Sequence, residues 1–161
     1  MTLDATQLSG AFRAVTVSRV IDAPADLLFE CHSTPEHLMK WFGPEDYPVT
    51  MCELDFRVGG KWRMSMTAPD GTQNTPFGGT ILEIIPGRLI RYDNAFEEEG
   101  AERMVMCFRF DPQPDGKTLL SVETTFPTHS MWDSHVGQGM VVGLGSALDQ
   151  LEALAVGMKA A

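Results

Sequence analysis

The strongest constraint on the fold is a run of six strand-length segments between residues 49 and 126. Short turn-forming sequences separate them, among them Pro69-Asp70-Gly71, Pro86-Gly87 and Pro114-Asp115-Gly116. Turns this short join neighbouring antiparallel strands, because parallel strands need a long crossover. The sequence therefore predicts a meander of six antiparallel strands. Their predicted bounds are 49–56, 61–67, 78–85, 89–95, 103–110 and 119–126.

The residues before this meander predict one more strand and two short helices. A β-branched stretch from Phe12 to Ile21 predicts the strand, and Pro24 after it suits the first turn of a helix over about 25–31. Ser33 or Thr34 can cap a second helix that runs to about residue 40.

The C-terminal segment returns to a helical period. Over about 133–158, Met140, Leu144, Leu148 and Leu151 fall on one arc of a helical wheel, which predicts a single long amphipathic helix. Its start is expected to be capped by a polar side chain of the segment 130–134: Ser130, Asp133 or Ser134. Gly137, Gly139, Gly143 and Gly145 each cost such a helix about 1 kcal/mol relative to Ala, which indicates close packing or a need for space.

The order of elements predicts an α+β fold. A curved antiparallel sheet of about seven strands can bury one face against the long C-terminal helix, with the two short helices closing one end. At 161 residues we expect one domain over 1–161, with its core at about 12–155. A gap between a curved sheet and a straight helix either fills with side chains or remains a pocket.

Composition excludes several functional classes. The net charge of −10 repels phosphate backbones, so nucleic acid is not an expected partner. No uninterrupted apolar run reaches the roughly 18 residues expected of a membrane span, and the N-terminus does not resemble a signal peptide. We therefore expect a cytoplasmic protein whose three cysteines, Cys31, Cys52 and Cys107, are reduced.

Several motifs occur in an order that resembles a known family. They are AP at Ala23-Pro24, WFGP at 41–44, DFRVGGKWR at 55–63, PDG at 69–71 and GTILEIIP at 79–86. In this order they resemble the activator of heat-shock-protein-90 ATPase-like family, part of the START-like (SRPBCC) superfamily with the helix-grip fold. The resemblance covers about residues 12–155.

The resemblance implies three functions. Members of the superfamily bind small apolar molecules, such as lipids, aromatics or polyketides, between sheet and helix, and this is the function we favour. Other members are cyclases, dehydratases or hydrolases that use the same cavity, and the family's namesake activates a chaperone ATPase. The residues leave all three open, together with self-association into a homo-oligomer.

Two alternating strands predict the wall of a ligand cavity. Residues at every second position of 61–67 and 103–110 are large, apolar and rich in methionine, which adapts to variable shapes. Two residues of the long helix would face them. The predicted wall is Trp62, Met64, Met66, Met104, Met106, Phe108, Met140 and Leu144. The alternative is that these side chains simply fill an irregular core.

Aromatic and polar residues are predicted near the mouth of the cavity. Trp132 and His135 lie where the last strand passes into the long helix, and the His135 imidazole could donate to a ligand carbonyl or act as a base. Trp41 and Phe42 lie in a bordering loop, where they either gate the cavity or anchor the short helices.

Other candidate catalytic groups are few. Neither His32 with His37 nor His129 with His135 has the i, i+4 spacing of two metal ligands on one helical face, so we expect no metal and no cofactor. Glu53 and the nearby Asp55 could act as an acid and base pair only if buried. No nucleophile motif or phosphate-binding loop is present in the sequence.

Overall fold

A computed structural model describes residues 5–9 and 13–160. Its described part contains one antiparallel sheet of eight strands. The strands are β1 (Ala5–Ser9), β2 (Ala14–Ile21), β3 (Val49–Leu54), β4 (Lys61–Met66), β5 (Phe77–Ile85), β6 (Leu89–Phe96), β7 (Met104–Pro112) and β8 (Thr118–Thr125). All six strands of the predicted meander are present, each within three residues of its expected bounds.

The strand order in space is β1-β2-β8-β7-β6-β5-β4-β3. The predicted first strand is β2, which pairs with β8 so that Val17 faces Val122. Phe12, where that prediction began, lies outside the described residues. The edge strand β1 was not predicted and pairs with β2 through Ala5 and Ser18.

Two register shifts bend the β3 to β5 side of the sheet. One lies between Val49 and Met51 on β3, and the other lies between Ile81 and Glu83 on β5. An extra residue on one strand increases the local twist and turns the strand, which gives the sheet the concave face that holds the helices. The predicted helix-grip architecture is confirmed.

The two short helices lie where the sequence predicted them. They are α1 (Ala25–Ser33) and α2 (Pro35–Trp41). Thr34 occupies the N-cap of α2, but its hydroxyl donates to the carbonyl oxygen of Glu30 at 3.2 Å and makes no capping hydrogen bond. The predicted position of this cap was therefore right, and its predicted chemistry was wrong.

The predicted long C-terminal helix is two helices. They are α3 (His129–Gly137) and α4 (Met140–Ala160). Gly139 between them has φ +84°, a left-handed conformation that an α-helix cannot continue through and that glycine adopts without strain. The N-cap of α3 is Thr128, whose hydroxyl accepts from the Met131 amide, so the prediction of Ser130, Asp133 or Ser134 was wrong.

The core lies between the concave face of the sheet and α4. Ala147, Leu148, Leu151 and Ala155 are at most 5% exposed and lie on one side of this helix. An 18-residue window of this helix has a mean hydropathy of 1.3, so by length and composition alone the helix could cross a membrane. Its buried stripe gives a simpler account, because a helix packed on a sheet needs such a face.

Candidate ligand-binding site

A cavity of about 430 Å³ lies between the concave face of the sheet and the junction of α3 with α4. Its wall comes from the ends of β4 to β7, from the loop after α2, and from both helices at the junction. The lining is mostly apolar. It consists of Trp41, Phe42, Gly43, Pro44, Met66, Asn74, Thr75, Phe77, Asn94, Phe96, Met104, Met106, Phe108, His135, Gln138, Gly139, Met140, Gly143, Leu144 and Ala147.

Seven of the ten residues predicted from the sequence border this cavity. They are Met66, Met104, Met106, Phe108, His135, Met140 and Leu144. Met104, Met106 and Phe108 alternate along β7 and are at most 8% exposed, so they belong to the core and to the cavity wall at once. The expectation of a methionine-rich wall beneath the helix thus fits the geometry of β7 and α4.

Trp62 and Met64 lie away from this cavity. They are buried at 5% and 3% exposure, as their alternation along β4 predicted, but they border a separate space of only about 20 Å³. The Trp62 indole donates to the carbonyl oxygen of Asp93 at 3.0 Å. The strand curves, so only Met66 at its far end reaches the larger cavity. The prediction placed these side chains on the correct face of β4, but only the end of that face lines the larger cavity.

Trp132 also lies outside the cavity wall. Its indole donates to the carbonyl oxygen of Ala14 at 3.0 Å, and its ring stacks on His129 with 5.2 Å between ring centroids. The hydrogen bond fastens α3 to β2, and the ring contact with His129 lies within α3. The side chain is therefore a structural anchor and not part of the mouth that the sequence predicted.

Of the two readings of Trp41 and Phe42, the structure shows the anchor. Trp41 is 1% exposed and donates from its indole to the carbonyl oxygen of Cys31 at 2.9 Å, which anchors α2 to α1. Phe42 packs beside it, with 5.4 Å between ring centroids, and both side chains border the cavity. The anchor therefore also forms part of the wall.

Sequence reasoning missed the contribution of β6. Asn94 and Phe96 line the cavity, and Asn94 Oδ1 is buried without a hydrogen-bond partner among the described residues. A signal for Asn94 was present, because it alternates with the apolar Ile90 and Tyr92 along one strand. A polar residue in an inward series marks a place where an apolar wall can make a directed contact.

His135 is the one titratable side chain in the described cavity wall. Its Nδ1 lies 2.9 Å from the carbonyl oxygen of Met131, and its ring lies 5.0 Å from the ring of Phe126. A carbonyl only accepts, so Nδ1 carries a proton and Nε2 is the ring nitrogen left to contact a ligand. In the tautomer with the proton on Nδ1, Nε2 can accept a hydrogen bond from a ligand.

The other candidate catalytic groups are exposed or inactive. Glu53 and Asp55 are more than half exposed and lie beside Arg63 and Arg57, at 3.8 Å and 2.8 Å, so they do not form a buried acid and base pair. Burial raises the pKa of the Cys31 thiol to about 11, which keeps it protonated. Within the described residues, no cluster of three His, Cys, Asp or Glu side chains could hold a metal ion.

His32 lies in the core beside the smaller cavity. Its Nδ1 is 2.7 Å from the carbonyl oxygen of Leu28, and its ring packs against Trp41 and Phe108. Burial lowers the pKa of His32 to about 4. The ring is therefore neutral at physiological pH, and its role is packing.

A second depression, of about 680 Å³, lies on the convex side of the sheet. Four of its charged side chains form two ion pairs: Arg63 with Glu97, and Arg103 with Asp93 at 3.0 Å. Most of the polar side chains in this depression already have hydrogen-bond or ion-pair partners. The apolar cavity under α4 is the better candidate for a binding site.

The fold and this cavity define the class of protein. A curved antiparallel sheet that grips a C-terminal helix above an apolar cavity is the helix-grip architecture of the START-like superfamily. The sequence matches the family model "Activator of Hsp90 ATPase homolog 1-like protein" over residues 22–155. The chain belongs to this family.

Solved structures share the fold of this chain. A protein from Arthrobacter aurescens has a TM-score of 0.86 at 22% identity, covering 94% of this chain and 91% of its own. One from Mycobacterium smegmatis has a TM-score of 0.85 at 21% identity, and the match covers 98% of this chain and 99% of that protein. A third, from Chromobacterium violaceum, has a TM-score of 0.75 at 30% identity, and the match covers 89% of this chain and 96% of that protein. No curated protein matches the sequence.

Proposed function

We propose that this protein binds a small apolar molecule in the cavity between the sheet and α4. The observation that carries the proposal is the cavity itself: about 430 Å³ lined mainly by aromatic and methionine side chains. Cavities of this size and lining are typical of small-molecule sites. Methionine suits a wall that must fit an irregular apolar surface.

The expected affinity is modest. A ligand that buries about 400 Å² of apolar surface gains about 10 kcal/mol at 25 cal/mol per Å². Association costs on the order of 4 to 15 kcal/mol in lost freedom. Without many directed polar contacts, a dissociation constant in the micromolar range is the result.

A catalytic role in the same cavity would depend on His135. No other titratable side chain lies in the described wall, and a cyclase, dehydratase or hydrolase needs a positioned acid or base. One imidazole without a second acid or base favours binding over catalysis. Activation of a chaperone ATPase and a cytoplasmic location stay predictions from the sequence.

The proposal is tested by filling the cavity from α4. Leu144 lines the cavity, whereas Val142 on the same helix is 78% exposed and points away from it. The fluorescent probe N-phenyl-1-naphthylamine is titrated into wild type, Leu144→Trp and Val142→Trp. We expect Leu144→Trp to weaken binding at least tenfold and Val142→Trp to leave it unchanged. Equal binding by all three proteins would place the probe elsewhere and contradict the proposal.

A further inference from the structure

The chemical class of the ligand can be narrowed from the charges of the cavity wall. Among the described lining residues there is no Asp, Glu, Lys or Arg. A carboxylate or an ammonium group buried against such a wall would lose its hydration without gaining an ion-pair partner. The wall therefore disfavours fatty acids and other anions, and it favours an uncharged ligand.

Two atoms of the wall can accept a hydrogen bond from a ligand. Asn94 Oδ1 on β6 is buried and makes no hydrogen bond with the described residues. His135 Nε2 is an acceptor in the tautomer whose Nδ1–H donates to the Met131 carbonyl. A ligand that brings a donor to Asn94 Oδ1 would satisfy an acceptor that has no partner among the described residues.

The Asn94 amide must turn slightly to meet such a donor. Its oxygen is closed off from solvent, while the side chain as a whole is only partly buried and borders the cavity. The χ2 torsion of asparagine has a broad minimum, so rotating the amide toward the cavity is inexpensive. A hydroxyl group suits this position, because it can donate to the amide oxygen and also accept from the amide nitrogen.

We propose that the ligand is an uncharged apolar molecule that carries a hydroxyl group, such as a polycyclic phenol or alcohol, and that this hydroxyl hydrogen-bonds to Asn94. The proposal rests on the proposed function and deepens it. The same group can reach His135 in place of Asn94 if the ring system enters from the α3 side. Specificity for a hydroxyl then comes from one polar contact in an otherwise apolar wall.

The test uses three probes of one ring system: 1-naphthol, 1-methylnaphthalene and 1-naphthoate. Their binding to wild type is measured by isothermal titration calorimetry. We expect 1-naphthol to bind at least as tightly as 1-methylnaphthalene although its hydroxyl must give up water, and 1-naphthoate to bind at least about tenfold more weakly than 1-naphthol. This comparison uses only the wild-type protein, so it tests the preference for an uncharged ligand even if a cavity variant does not fold.

The variant Asn94→Leu then removes the polar contact, because the side chain of leucine is similar in size to that of asparagine but cannot form hydrogen bonds. We expect the ratio of 1-naphthol to 1-methylnaphthalene affinity to fall about fivefold to tenfold. His135→Phe removes the alternative acceptor, and Thr125→Leu, an equivalent polar-to-apolar change at the exposed end of β8, is the control that should leave the ratio unchanged.

The outcomes separate the two proposals. Tightest binding by 1-naphthoate, or an unchanged ratio in both Asn94→Leu and His135→Phe, would overturn the hydroxyl proposal while the apolar binding function stands. Failure of all three probes to bind wild type would count against the binding function itself.

Discussion

Arg19 on β2 holds Asp149 on α4 through an ion pair with 2.7 Å between Nη1 and Oδ1. The guanidinium is 4% exposed and also donates to the carbonyl oxygen of Gly145 at 3.3 Å, so it joins the sheet to the helix at two points. Gly145 directly follows Leu144, and Asp149 lies about 1.4 turns beyond Leu144. These contacts hold α4 against β2 next to the part of the helix that lines the cavity.

Replacing Asp149 by Asn should therefore destabilise the protein. The change removes the charge from the pair but keeps a hydrogen-bond acceptor. We expect a loss of about 1 to 2 kcal/mol, small because Asp149 is 75% exposed and because Arg19 keeps other contacts. Urea unfolding measures this loss of unfolding free energy, and Asp46→Asn, which changes an exposed loop carboxylate, is the control. Equal midpoints for the two variants would show that the pair does not hold the helix.

The buried His32 should make stability depend on pH. Its pKa is lowered to about 4 in the folded protein, whereas an unfolded chain has a value of about 6.5. Below pH 6.5 the unfolded state binds a proton that the folded state does not, so stability falls as pH falls from about 6.5 to 4. The full difference is on the order of 3 kcal/mol.

This contribution is isolated by comparing variants. Stability is measured by urea unfolding at several values between pH 7 and pH 4 for wild type, His32→Asn and the exposed-site control His129→Asn. We expect His32→Asn to be less stable at pH 7 and to lose less stability on acidification. The same slope in wild type and His32→Asn would contradict the assignment of a neutral buried ring.

Gly139 should be required for the break between α3 and α4. Its φ of +84° disfavours any residue with a Cβ, although no described atom lies within 4 Å of where that Cβ would be. We expect Gly139→Ala to cost about 1 to 2 kcal/mol. Gly157→Ala, at a helical site with equally open surroundings, should instead stabilise by up to about 1 kcal/mol. A stabilising Gly139→Ala would indicate one continuous helix.

Trp62 should affect stability without affecting ligand binding. Trp62→Phe removes the hydrogen bond to the Asp93 carbonyl and leaves that oxygen partly buried, at an expected cost of about 1 to 3 kcal/mol. Trp62 does not border the cavity beneath α4. The affinity for N-phenyl-1-naphthylamine, measured well below the melting temperature, should therefore stay within about twofold of wild type. A large loss of affinity would mean that the two cavities communicate.

The meander could be predicted because its information is local. Pro86-Gly87 and Pro114-Asp115-Gly116 fix short turns, and the alternation between them fixes which side chains face inward. The break at Gly139 was harder, because a glycine in a helical pattern can be either an interior residue or a stop. Which one it is depends on tertiary contacts such as the hydrogen bond from Trp132 on α3 to Ala14 on β2.

The site could be predicted only in part, for a geometric reason. Alternation gives the face of a strand, but not which part of that face lies under the helix. Trp62 and Met66 share one face of β4, yet only Met66 reaches the cavity. Alternation along β6 places Asn94 on the same face as Ile90 and Tyr92, but it does not show which of them lies beside the cavity.

The most direct test of the account is native mass spectrometry of the protein isolated from its own host, followed by release and identification of any bound molecule. We predict an uncharged apolar compound on wild type and on Val142→Trp, and its absence from Leu144→Trp. An empty wild-type protein, or the same compound retained by Leu144→Trp, would contradict the claim that the cavity beneath α4 is a ligand-binding site.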